Sequence, residues 1–105
     1  MVTHLIFEVG ITTSHSQERV ESGTPLFYAS GLSDDKHESP TGESYYGTTP
    51  TELAGFVREG VLKNVEGKFT WEMKDVSSDK LNPFRKRMSR TQFMEFMNAL
   101  NFPTQ

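Results

Sequence analysis

The sequence predicts an α+β fold: a small antiparallel sheet of about three to four strands, with two helices packed on one face. Three observations predict it. Leu5, Phe7, Val9 and Ile11 alternate with polar or small residues, as a half-buried strand does. Thr49-Pro50-Thr51-Glu52 opens one helical apolar stripe, and Ser89-Arg90-Thr91-Gln92 opens another. Between those helices Phe69, Trp71 and Met73 alternate with Lys68, Thr70, Glu72 and Lys74, giving a further strand.

The elements follow in order. In the first strand only Ile6 breaks the polar side. Residues 12–24 are rich in Ser, Thr and Glu and read as a flexible loop. Leu26, Phe27, Tyr28 and Ala29, set between Pro25 and Gly31, form a short strand. Residues 33–44 bring Asp34, Asp35, Pro40 and Gly42 among other polar residues and lack the apolar surface to order themselves, a second flexible loop. Tyr45-Tyr46-Gly47 is a short third strand.

The first helix has a hydroxyl N-cap, a proline at its first position and a glutamate at its third, each of which satisfies or avoids an orphan backbone donor. Its stripe is Leu53, Phe56, Val57, Val61 and Leu62. Gly55 and Gly60 within it each cost about 1 kcal/mol against alanine. Asn64 to Gly67 is a turn, and residues 77–82 are a polar linker. The last helix carries Phe93, Phe96, Met97 and Leu100 and ends at Phe102-Pro103. It does not begin at Pro83. At 100° per residue Lys86 would fall about 20° from Phe93 on the buried stripe, and Phe84 about 180° away in solvent. The chain therefore breaks near Ser89, with residues 83–88 as a separate turn.

A chain of 105 residues fits a single domain spanning 1–105. The absence of cysteine excludes disulfides, thiolate metal sites and a cysteine nucleophile. No apolar run approaches the roughly 20 residues of a membrane span, and the N-terminus has no basic-then-apolar leader, so a cytoplasmic protein without membrane contact is expected. Charge is unevenly spread. Residues 1–62 carry nine acids against three bases, whereas residues 63–105 carry eight bases against five acids, for a net −3. An acidic and a basic face follow if the halves do not interleave.

The densest chemistry is the run Lys80, Arg85, Lys86, Arg87, Arg90, five cations within 11 residues. Phe84 and Met88 stand among them, an apolar pair ringed by arginine with the make-up of an interface anchor and charged rim. Arginine binds carboxylates bidentately, so the leading expectation is a non-enzymatic interaction or regulatory protein. It would bind an acidic protein partner through Phe84, Arg85, Lys86, Arg87, Met88 and Arg90. The alternative is a nucleic-acid-binding module, with the same cations on phosphates and Trp71 and Phe69 stacking on bases. The clean alternation of those aromatics favours burial in the core. A third class, enzyme or metal protein, would use His37 with Asp34, Asp35 and Glu38, but no ligand pair or calcium-loop glycine accompanies them. His15, flanked by Ser14 and Ser16 with Glu18 following, matches no catalytic motif, and no cofactor-binding motif occurs.

Overall fold

The alternation of the first strand decides the layout. The structure, a computed structural model, describes residues 3–15, 17, 20–32, 44–76 and 83–102. In chain order it contains β1 (Thr3–Thr12), β2 (Leu26–Leu32), β3 (Ser44–Gly47), α1 (Pro50–Asn64), β4 (Phe69–Asp75), β5 (Arg85–Lys86) and α2 (Arg90–Leu100). β1 is central. It pairs antiparallel with β2 from Ile6↔Leu32 to Thr12↔Leu26. On its other side it pairs parallel with β4 from Thr3↔Phe69 to Val9↔Asp75, then antiparallel with β5 at Ile11↔Lys86 and Thr12↔Arg85. β3 pairs antiparallel with β2, so the sheet order is β3-β2-β1-β4.

The sheet is thus mixed, not antiparallel throughout. Two antiparallel steps make β3 run in the direction of β1. α1 then carries the chain back across the sheet to begin β4 in that same direction, the helical crossover that a parallel pair requires. Residues 83–88 also differ from a simple turn, because Arg85 and Lys86 add to the end of β1. Thr12, expected to begin a loop, closes β1 and is buried.

Leu5, Phe7, Val9 and Ile11 face one side with Ala29, and both helices cover that side. α1 contributes Leu53, Ala54, Val57 and Val61, and α2 contributes Phe96 and Leu100. Burying each large side chain stabilises the fold by roughly 1.5–3 kcal/mol. The expected α1 stripe is too wide. Phe56 is 38% exposed and Leu62 47% exposed. Each lies more than about 100° around the helix from the centre of the buried arc. Phe69, Trp71 and Phe93 are half-buried and pack on the rim of the core.

Both helix starts form as the sequence requires. The Thr49 hydroxyl accepts from the Glu52 amide at 3.0 Å. The Glu52 carboxylate reaches one residue further back, accepting from Thr48 N at 3.3 Å and Thr48 Oγ1 at 3.0 Å. At α2 the capping box is reciprocal: Ser89 Oγ accepts from Gln92 N and Gln92 Oε1 accepts from Ser89 N. α2 ends at Asn101 in the left-handed region, φ 43°. There the Arg58 guanidinium donates to the carbonyls of Leu100 and Asn101, tying α1 to the otherwise unsatisfied end of α2.

The two glycines of α1 differ. A Cβ on Gly55 would meet nothing within 4 Å, whereas one on Gly60 would run into the Tyr45 ring and hydroxyl. The Tyr45 hydroxyl is buried there with no hydrogen-bond partner among the described residues. Gly55→Ala should therefore stabilise the protein by up to about 1 kcal/mol through helix propensity. Gly60→Ala should destabilise it despite the same propensity gain, and Phe96→Ala should cost about 3–5 kcal/mol. Urea denaturation of the three variants checks the signs and the order.

Candidate functional site

The basic segment is fixed at both ends. The Phe84 carbonyl accepts from the Thr13 amide at 2.9 Å, extending the β1–β5 ladder by one bond, and the Ser89 cap holds the other end. The segment is therefore presented on a rigid edge of the sheet, beyond the end of β4.

The cations on it do different things. Arg85 lies on the Thr12 side of the sheet, away from the helices. Its guanidinium is 3.5 Å from Glu8 Oε1 and 5.2 Å from the centroid of the Tyr28 ring. The Tyr28 hydroxyl donates to the same Glu8 oxygen at 3.0 Å. Glu8 is only 14% exposed, so this carboxylate, phenol and guanidinium form a compact cluster that pins β5 across β1 to β2. Burial first, then the Glu8 hydrogen bond and charge, push the Tyr28 phenol well above its usual range. Arg87 donates from Nε to the Val76 carbonyl at 3.2 Å, leaving the outer edge of its guanidinium uncommitted. Lys86 and Arg90 are exposed and make no ion pair among the described residues. Arg90 stands in the first turn of α2, where no acid offsets it and the helix dipole disfavours a cation.

Of the apolar pair, Phe84 is 57% exposed, whereas Met88 is 6% exposed and belongs to the core. The alternation that leaves Arg85 and Arg87 outside turns Met88 under the helices, so Met88 supports the segment from below and is no surface anchor. Phe84 borders a shallow cavity of about 460 Å³ lined by Thr13, Ser14, His15, Ser22 and Gly23. His15 Nε2 donates to the Thr24 carbonyl at 2.7 Å and Nδ1 accepts from the Gln17 amide at 3.4 Å. With both nitrogens bound to backbone, His15 braces the loop and is not poised as a general base.

The aromatics proposed to stack on bases are occupied. Phe69 and Trp71 meet Phe102 edge-on, with centroids 5.3 Å and 5.7 Å away. Asp34, Asp35, His37, Glu38 and Lys80 lie outside the described residues, as does most of the expected loop 33–44. Among the described residues no group of three or more His, Asp or Glu could hold a metal ion, and no helix is long and apolar enough to cross a membrane. In comparisons with known proteins, no family model matches the chain, and no curated protein or solved structure matches it either.

The Glu8–Tyr28–Arg85 cluster was invisible in the sequence, its members being spread from the first strand to the penultimate element. The one hint is Glu8 itself, the only acid in β1. Because the folded-state pKa of Tyr28 is raised, the folded form holds its proton when the unfolded chain loses it near pH 10. Stability from this group is fully present below that pH and falls as pH rises above it. Tyr28→Phe should lose a hydrogen bond worth about 1 kcal/mol at pH 7 and show a shallower loss between pH 9 and about 11 than the parent protein. Chemical denaturation across that range measures both.

Proposed function

We propose that this chain is a small non-enzymatic interaction protein that binds an acidic protein partner through residues 83–90. Phe84 is the anchor. Lys86, Arg87 and Arg90 form the charged rim, and Arg85 holds the segment in place through Glu8. The observation that carries this reading is the exposure of Phe84 in a segment whose Lys86 and Arg90 are exposed and make no ion pair among the described residues. An exposed aromatic rimmed by arginine is the composition that concentrates binding energy at protein interfaces. The unfavourable position of Arg90 at a helix start supports it, since a partner carboxylate placed there would meet both the cation and the dipole. The occupied aromatics favour a protein partner over nucleic acid.

The test is affinity capture from the native host with and without nuclease, using the parent protein, Phe84→Ala and the triple reversal Lys86→Glu, Arg87→Glu, Arg90→Glu. Acidic proteins should remain bound to the parent after nuclease, and both variants should lose them. For a purified partner, Phe84→Ala should cost roughly 30-fold in affinity, the scale of a hot-spot residue. Thermal midpoints should be nearly unchanged for Phe84→Ala, whose side chain is exposed, and should fall only slightly for the triple reversal, which also removes the Arg87 bond to the Val76 carbonyl. Partners stripped by nuclease, with a log–log salt slope near about −4 on duplex DNA, would establish the nucleic-acid reading instead.

A further inference from the structure

α2 carries a ridge that the isolated fold does not reward. The helix buries Phe96 and Leu100. On its outer side Arg90, Met94 and Asn98 follow one another at four-residue spacing, and all three are exposed, Met94 by 51%. Phe93 and Met97, half-buried against the core, form the next row inward, so a shallow groove runs between the two rows. Grooves between such rows are what the ridge of another helix fills. Two members of the outer row stand where an isolated helix gains nothing from them. Arg90 is a cation in the first turn, where the dipole disfavours it and the reciprocal capping box already holds the helix start. Met94, one turn on and about 6 Å away, leaves an adaptable apolar side chain in water. Glu95 is the only acid of α2, and it lies about 100° around the helix from Met94 and about 140° from Arg90.

We infer that this ridge binds an amphipathic helix of the acidic partner, lying parallel to α2, with a carboxylate of its first turn on Arg90 and apolar side chains on Met94, Met97 and Phe93. The inference rests on the reading of residues 83–90 as the partner site and extends that site along α2, since the two surfaces share Arg90. Charge selects the occupant. Arg90 is exposed and makes no ion pair among the described residues, and a guanidinium in that state receives a carboxylate bidentately. Charge also sets the direction. An acid is stabilised in the first turn of its own helix, and placing that turn beside Arg90 runs the two helices the same way. The remaining contacts follow from spacing, because a docked helix offers its apolar side chains at i, i+3, i+4 and i+7 to a face of this kind.

The test uses a synthetic blocked helical peptide, Glu-Ala-Gln-Leu-Ala-Gln-Leu-Leu-Ala-Gln-Leu-Ala-Gln-Ala, titrated into isotope-labelled full-length protein and followed by amide chemical shifts. Shifts should concentrate at residues 89–98. Met94→Gln keeps the length and helix propensity of the side chain, so it should weaken binding at least fivefold while leaving the thermal midpoint unchanged. Arg90→Glu should also weaken binding at least fivefold, and a peptide carrying Lys in place of its Glu should recover that loss. No binding, shifts centred on residues 44–64, equal affinity for Met94→Gln, or no recovery by the Lys peptide would overturn the inference. Affinity capture separates this failure from that of the underlying reading. Acidic proteins lost from Phe84→Ala, with no peptide bound along α2, would leave residues 83–90 as the partner site and remove the helix from it. Acidic proteins absent from the parent protein as well would remove both.

Discussion

Everything in this molecule is organised around the two-sided pairing of β1. It binds β2 along one flank from Ile6 to Thr12 and β4 then β5 along the other, while Leu5, Phe7, Val9 and Ile11 supply the centre of the core. A strand enclosed in this way must satisfy its backbone on both sides and bury one whole face. β4 satisfies its second flank only as far as Val9, so the last residues of β1 require another partner. That partner is β5, and the requirement brings a strongly basic segment to a defined place.

The same constraint explains the division of labour within residues 83–90. Pairing fixes which side each residue faces. Arg85 is directed onto Glu8 and Tyr28, where one carboxylate oxygen takes both the phenol hydrogen bond and the guanidinium contact. Met88 is directed into the core. What remains outside is Phe84 with Lys86, Arg87 and Arg90. The candidate site is thus what the pairing of β5 leaves over, since Arg85 and Met88 hold the segment, Arg87 adds one bond to the Val76 carbonyl, and the others are displayed.

Much of this was legible in the sequence because it rests on local chemistry. The alternation from Leu5 to Ile11, the hydroxyl and glutamate at the start of α1 and the reciprocal cap at Ser89 act over a few residues, and each forms as read. The break before Ser89 followed from angular position alone and is real. Illegible features depend on contacts distant in sequence. Alternation in Phe69, Trp71 and Met73 gives a strand but not its direction, and the parallel pairing follows only from where α1 returns the chain. A two-residue strand such as β5 has no period to detect. Phe56 and Met88 show the same limit from both sides: helical spacing placed the first inside and the neighbouring arginines placed the second outside, whereas packing reverses them. Gly60 gave no sign that its empty position receives Tyr45.

The central claim is that β5 is held on β1 as part of the fold, with the Glu8–Arg85 contact as its clasp. Native-state hydrogen exchange at the Thr13 amide tests it most directly, because that group donates to the Phe84 carbonyl and reports the docking of this segment. The Thr13 amide should be protected in the parent protein, and Glu8→Gln should accelerate its exchange while leaving Phe7 and Val9 in the centre of the sheet slow. A Thr13 amide that exchanges as fast as an unstructured chain in the parent protein would contradict the account, since residues 83–90 would then have no fixed place from which to present a surface.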